Sequence, residues 1–388
     1  MYISSKPLSF TLWFPNIFGF KGGIQVYSAF LLEALQSLCP NSRYDVFLKH
    51  DTKTSSDFSG LTHTQFYFSG VWPLPLRTVV FVGQLLKHGL WRSSNLVISS
   101  HLNFTVAAYW LKRLRGIPYW AVAHGVEAWD IQRPTLQAAL HHADRILAVS
   151  SYTRDRLLKE QNLDPERVLL LPNTFDAQRF KIAAKPQSLL SRYGLTVDQP
   201  IILTVSRLAK ADGYKGYDKI VQALPEVRRG IPNLHYVIVG KGDDRPRLEQ
   251  LIDRLNLKDC VTLTGFVPDN ELCDHYNLCD VFAMPSKGEG FGIVYLEALA
   301  CGKPTLGGNQ DGALDALCNG ELGVLVNPDD IHKITQILIQ MLQGVYPHPI
   351  LYQPEALRQK VIEKFGFEQF RKVLAELMMS ANFPEVER

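Results

Sequence analysis

Short apolar runs alternate with longer amphipathic ones along the whole of this chain, and that alternation constrains the fold more than any other feature. Strand-like runs fall at 8–14, 44–48, 96–99, 118–123, 145–149 and 168–171 in the first half. In the second half they fall at 201–206, 235–239, 261–264, 281–285, 304–306 and 323–326. Helical patterns lie between them, as at 24–38 and 103–115. Apolar strands followed in turn by helical runs imply βαβ units and parallel sheets. The pattern loosens over 173–200 and then restarts, which predicts two α/β domains. At 388 residues the chain is long for one core and comfortable for two.

Charge and cysteine usage narrow the function. A net charge of +3 is too small to argue for nucleic-acid binding. Cys39, Cys260, Cys273, Cys279, Cys301 and Cys318 show no CxxC spacing and read as reduced thiols of a cytoplasmic protein. The N-terminal stretch lacks a basic region and a cleavage site, so no signal peptide is expected. No apolar run reaches the length of a spanning helix.

One stretch is unusual. Between Asp57 and Glu127 no acidic residue occurs, while Arg77, Lys87, Arg92, Lys112, Arg113 and Arg115 do. Within it, Thr78 to Trp91 is apolar with cations at its flanks. Two readings stand: a buried helix with basic ends, or a peripheral contact with an anionic membrane face.

In open parallel sheets the chemistry sits in loops at the carboxyl ends of strands. After the first strand comes Gly19-Phe20-Lys21-Gly22-Gly23, whose glycines let backbone approach a phosphate at a helix start. His124-Gly125 follows 118–123, and a histidine there suits either a substrate contact or a structural hydrogen bond. Arg207 and Lys215 follow 201–206 and fit a diphosphate clamp, or two solvated charges. Gly240 follows 235–239, and Gly265-Phe266-Val267 follows 261–264; both suit a base contact or a plain turn. The richest segment follows 281–285 and runs from Ser286 to Ala298, with glycines at 288, 290 and 292. A helix then begins, with Glu289 ahead of it and Glu297 about two turns inside. Free N–H groups at that helix start, with carboxylates that accept hydroxyl hydrogens, suit a sugar nucleotide.

At this segment the chain resembles the retaining GT-B glycosyltransferases of family 4, the glycosyl transferases group 1. Their mark is two glutamates in an E-x7-E spacing, matched by Glu289 and Glu297 within EGFGIVYLEALACGKP. The resemblance spans nearly the whole chain and is strongest from about 200 to 330. It implies a GT-B fold, two Rossmann-like doubly wound parallel-sheet domains facing across a cleft. It places an acceptor domain at 1–185, completed by a helix at about 367–388, and a nucleotide-sugar domain at 186–366.

The resemblance also assigns roles. Gly22 and Gly23 match the glycine loop at the donor phosphates, and His124 matches the family's histidine that hydrogen-bonds the sugar. Arg207 and Lys215 match the basic pair on the diphosphate, Glu289 orients the donor sugar, and Glu297 holds the ribose. Gly240, Phe266, Val267, Gly290, Phe291, Gly292, Ile293 and Val294 complete the donor set. Acceptor candidates are His101, Asn103, Glu127, Trp129 and Asp130. The family's interdomain segment usually reads Pro-Asn-Gly-Val-Asp; Pro172-Asn173 is here followed by Thr174-Phe175-Asp176.

The implied reaction retains anomeric configuration, with closure of the two domains and no metal or other cofactor. A hexose passes from UDP-glucose, UDP-galactose or GDP-mannose to a lipid-linked or glycan acceptor. Readings that remain beside it are a soluble-acceptor enzyme of the sucrose-phosphate synthase kind and a non-catalytic nucleotide-sugar-binding protein. The missing GxGxxG argues against a dehydrogenase, and a phosphorylase would need a pyridoxal phosphate lysine.

Overall fold

The structure is a computed structural model and describes residues 7–19, 22–53 and 63–381. The chain forms two compact units, 1–174 with 367–388, and 175–366. Phe20 and Lys21 of the glycine loop, Asp57, and the end of the expected C-terminal helix beyond 381 lie outside the described residues.

In unit 1 the described strands are β1 (Ser9–Phe14), β2 (Arg43–Leu48), β3 (Thr64–Phe68), β4 (Leu96–Ser99), β5 (Tyr119–Ala123), β6 (Arg145–Ala148) and β7 (Val168–Leu170). They form one sheet in the order β3-β2-β1-β4-β5-β6-β7, paired in parallel throughout. The helices are α1 (Gly23–Leu38), α2 (Leu74–Trp91), α3 (Thr105–Arg115), α4 (Pro134–His142) and α5 (Ser151–Gln161). Trp13, Phe47, Tyr119, Ala121 and Ile146 from the strands pack with Phe81, Leu85, Leu111 and Leu140 from the helices into one apolar core. Helices α2 and α3 approach closely because Gly89 has no side chain: a Cβ there would lie 2.4 Å from Leu111.

In unit 2 the strands are β8 (Ile201–Val205), β9 (His235–Val239), β10 (Val261–Gly265), β11 (Val281–Met284), β12 (Thr305–Gly308) and β13 (Val324–Val326). Their order is β10-β9-β8-β11-β12-β13, again all parallel. The helices are α6 (Gln187–Tyr193), α7 (Tyr217–Gly230), α8 (Arg245–Arg254), α9 (Leu272–Leu278), α10 (Ile293–Ala300), α11 (Ala313–Ala316), α12 (Ile331–Leu342) and α13 (Pro354–Phe365). Strand runs such as IILTV and HYVIV are apolar almost without break, as expected of strands buried on both faces.

The last helix, α14 (Phe367–Met379), belongs to unit 1. Its Phe370 ring meets Tyr27 of α1 edge-on at 5.5 Å, and Phe367 lies 5.8 Å from Phe30.

The division falls between Thr174 and Phe175, ahead of the expected boundary at 185. The reason is local. Phe175 and Phe180 are buried, and Phe180 packs edge-on against Tyr276 at 5.6 Å. The guanidinium of Arg358 donates to the carbonyls of Phe180, Ala177 and Ala300, so residues 175–180 are held by unit 2.

Both sheets carry a topological switch point, where the strand order reverses: between β1 and β4, and between β8 and β11. Loops leaving the two central strands diverge there and open a crevice at the carboxyl ends.

Candidate active site

The loops after β8 and β11 flank the switch point of unit 2. Gly216 ends the first loop with φ +76, and a Cβ on it would lie 2.1 Å from the carbonyl oxygen of Pro285. Only glycine allows that contact. The loop is further clamped by Lys287 N–H donating to Tyr214 O at 2.9 Å. These contacts bring the Lys215 ammonium onto Oε2 of Glu289 in a part-buried ion pair. An ammonium has three donors, so two remain for a ligand.

Arg207 is the exposed member of the basic pair and is held by Asp212 at 3.0 Å. Tyr214 reaches the same carboxylate at 3.3 Å. Beside Arg207, the buried Ser206 hydroxyl has no partner among the described residues. A ligand oxygen would satisfy it.

Asp311 shapes the glycine loop. Its buried carboxylate accepts from Glu289 N–H at 2.7 Å, from the Ser286 hydroxyl at 2.7 Å and from Ala313 N–H at 2.9 Å. Burial raises the pKa of this carboxyl, against the pull of those hydrogen bonds. Gly292 at φ +92 cannot be helical, so α10 starts at Ile293, without a side-chain cap. Tyr295 N–H is taken by Gly292 O at 3.1 Å, and the N–H groups of Ile293 and Val294 ahead of it form an anion-binding end. Glu297 is the fifth residue of α10, just over one turn inside rather than the two expected. Burial pushes its carboxyl up to about 7, opposed by the Tyr276 hydroxyl and by the charge of Arg179.

The other donor candidates divide into two kinds. Phe291, Ile293 and Val267 are buried in the core, so only their backbones can face a ligand. Phe266 is 55% exposed, with the Lys241 ammonium 4.9 Å over its ring, a surface on which a flat base could stack. Gly240 donates its N–H to Gly265 O at 2.9 Å and joins the two base-side loops.

In unit 1, Gly22 precedes α1 and donates to the Gln25 side chain at 3.0 Å; Gly23 is the helix's first residue. Asp51 accepts from the N–H groups of Ile17, Phe18 and Gly19 at 2.7, 3.1 and 2.9 Å and so fixes the loop after β1. His124 places Nε2 3.0 Å from Ser100 O and packs edge-on against Tyr27 at 5.0 Å. Because a carbonyl only accepts, Nε2 carries the hydrogen and Nδ1 is an acceptor. Burial lowers the His124 pKa to about 3, so the ring is neutral.

The acceptor candidates do not form one group. His101 and Asn103 sit together after β4, with Asn103 N–H donating to His101 Nδ1 at 3.2 Å. Glu127 caps the His124 N–H at 2.6 Å, and burial raises its pKa. Trp129 stacks under Arg156 at 4.6 Å, and Asp130 pairs with the same arginine at 3.2 Å. Trp129 and Asp130 thus fasten this loop to α5. Sequence reasoning missed Asp311, Asp212, Tyr214 and Ser206. Ser206 closes the apolar run at 201–206 and the other three lie in ordinary-looking polar loops; only the folded chain brings them to the switch point.

Two parallel sheets, each doubly wound and each with a glycine-bearing loop at its switch point, define a GT-B protein. Residues 189–349 match the family model described as "Glycosyl transferases group 1", and residues 21–179 match "Glycosyltransferase Family 4". The chain belongs to the group 1 glycosyltransferases of GT-B fold. It is 35% identical over 237 residues to the GDP-mannose-dependent alpha-(1-6)-phosphatidylinositol monomannoside mannosyltransferase of Mycolicibacterium smegmatis, covering 57% of this chain and 60% of that protein. It is 30% identical over 237 residues to the alpha-D-kanosaminyltransferase of Streptomyces kanamyceticus, with the same coverage. The matched segment thus spans less than two thirds of these relatives' own length. Among solved structures, Anabaena HepE in complex with UDP and glucose superposes with a TM-score of 0.75 at 19% identity, over 96% of this chain and all (100%) of that one. The sucrose-phosphate synthase of Thermosynechococcus elongatus gives a TM-score of 0.79 at 21% identity, over 95% and 98%.

Proposed function

We propose that this protein transfers a hexose from a nucleoside diphosphate sugar to a lipid-linked or glycan acceptor, with retention of anomeric configuration. The observation that carries the reading is the Lys215–Glu289 pair, assembled from two strand-end loops beside the uncapped start of α10. In this reading Arg207, Lys215 and the α10 N–H groups take up the charge that develops on the diphosphate as its bond to the anomeric carbon breaks. The acceptor oxygen bonds to the anomeric carbon on the same face, and its proton passes to a leaving phosphate oxygen. Glu289 accepts hydroxyl hydrogens of the sugar and Glu297 those of the ribose. His124, an acceptor at Nδ1, takes a further sugar hydroxyl. The charge is met by protein groups alone, with no metal required. GDP-mannose is the donor named for the Mycolicibacterium relative; UDP-glucose and UDP-galactose are the alternatives.

The acid-free stretch supports a lipid-linked acceptor met at a membrane surface. Along α2 the exposed face carries Val79, 71% exposed, and Trp91, 76% exposed, with Lys87 between them. Trp110 and Leu114 are exposed on the adjoining α3, next to Arg113 and Arg115. Exposed apolar groups among cations suit the headgroup region of an anionic bilayer. None of the described helices is long and apolar enough to cross a membrane.

A thermal-shift panel with UDP, GDP, ADP and their sugar conjugates tests the donor side. Ligand at about 100 times its dissociation constant adds roughly 2.7 kcal/mol, a rise of several degrees. A shift with one base identifies the donor family. No shift with any of them rules out the donor site.

A further inference from the structure

Five basic side chains gather at the carboxyl end of the unit 1 sheet. Lys49 and His50 follow β2, Arg77 lies in the first turn of α2 beyond β3, His101 follows β4, and Arg133 precedes α4 beyond β5. Contacts link them into one group. Arg77 stands 3.4 Å from the His50 Nδ1 and is anchored on Gly70 O at 2.9 Å and Trp72 O at 3.1 Å. The Lys49 ammonium lies 5.7 Å over the Phe104 ring, and that ring is 5.4 Å from His101. Arg133 donates to the Asn103 side chain, whose backbone N–H is on His101.

Little acid offsets this charge among the described residues: Asp51 acts on His50 alone. Among the described residues, Lys49, Arg77 and Arg133 have no carboxylate partner. Asp51, next along the chain, spends its oxygens on three backbone N–H groups of the loop after β1. The crowding shows in the bases themselves. Burial and the neighbouring cations lower Lys49, lower His50 against the opposing charge of Asp51, and bring His101 down to about 4. Like charges held together raise the energy of the free protein, and a bound anion relieves it.

We propose that this cluster is a binding site for a phosphate-class group on the acceptor. Its donors come from four separate strand-end loops, which suits a tetrahedral anion with several oxygens better than a planar carboxylate. Arg133 supplies a planar fork and Lys49 a point charge, while Arg77, whose Nε and Nη2 hydrogens are spent on Trp72 O and Gly70 O, adds its positive charge. The site rests on the reading of unit 1 as the acceptor side, and it assigns that acceptor a phosphate. The phosphate can belong to a lipid headgroup or to a free sugar or polyol phosphate.

The test is a calorimetric titration of the whole protein with glycerol 1-phosphate, GDP and UDP being present to fill the donor side. Glycerol is the neutral control. The expected result is binding of glycerol 1-phosphate but not of glycerol, weakened about tenfold or more by Arg133→Gln and by Lys49→Gln and untouched by Arg92→Gln. Co-sedimentation with phosphatidylinositol vesicles separates the sources: loss in Arg133→Gln marks a lipid headgroup, and retention with loss of glycerol 1-phosphate binding marks a free phosphate. Glycerol 1-phosphate binding that is absent, or that both Arg133→Gln and Lys49→Gln leave intact, overturns the site. The nucleotide thermal shift reads the donor side separately, so either half can fail without the other.

Discussion

The hydroxyl of Tyr276 on α9 donates to Oε2 of Glu297 on α10 across 2.6 Å. It is a polar contact that opposes the desolvation of a carboxyl raised from its ordinary 4.5 to about 7. A carboxylate that accepts ribose hydroxyls must be ionised, so nucleotide binding should strengthen from about pH 6 to about pH 8. The stability of the free protein should move the other way. Between 4.5 and about 7 the folded chain holds a proton that the unfolded chain has lost, so this group's contribution is full below 4.5 and is lost as pH rises through 7. Tyr276→Phe removes a contact that favours the ionised form and should move the binding midpoint to higher pH. Nucleotide-induced thermal shifts across that range measure both effects, and a midpoint unmoved by Tyr276→Phe counts against the assignment.

Lys215→Ala should lower turnover by about 100-fold or more while nearly preserving the melting temperature. Glu289→Gln should do the same, because an amide keeps the shape but loses the ion pair. Steady-state rates with the donor found in the nucleotide panel decide the matter. Near-normal turnover in Lys215→Ala would remove it from the diphosphate clamp.

Gly216→Ala should destabilise unit 2 by roughly 2–3 kcal/mol, since it combines a left-handed backbone with a clash on Pro285 O. Gly194 is a matched control: its φ is +66, but a Cβ there meets nothing within 4 Å. Gly194→Ala should therefore cost only about 1 kcal/mol. Urea unfolding separates the two, and equal losses would mean that the Pro285 contact is not what demands glycine.

Val79→Glu and Trp91→Glu should each weaken binding to anionic vesicles, with little change in melting temperature, because both side chains are exposed. Wild-type binding should fall as salt rises. Co-sedimentation at low and high salt checks this, and no binding at low salt would end the membrane reading.

The doubly wound units and the glycine segment were legible because both are written locally, as apolar runs and as glycines beside acids. Strand β3 was not legible. Thr64–Phe68 is an edge strand, half-buried and paired only with β2, so it lacks the unbroken apolar run of the inner strands. The helix register at Glu297 was misjudged because Gly292 takes a left-handed φ, which moves the start of α10. Asp311 lies in Asn309-Gln310-Asp311-Gly312, which reads as a turn; its hydrogen bonds reach back 22 and 25 residues, beyond any local pattern.

Asp311 carries a further consequence for anyone exchanging parts between members of this family. The loop at 286–292 does not hold its own shape; a carboxylate from beyond β12 holds it. The transplantable cassette is therefore discontinuous. A graft of 286–292 alone would arrive without its template, and a productive chimera must carry 309–313 from the same parent.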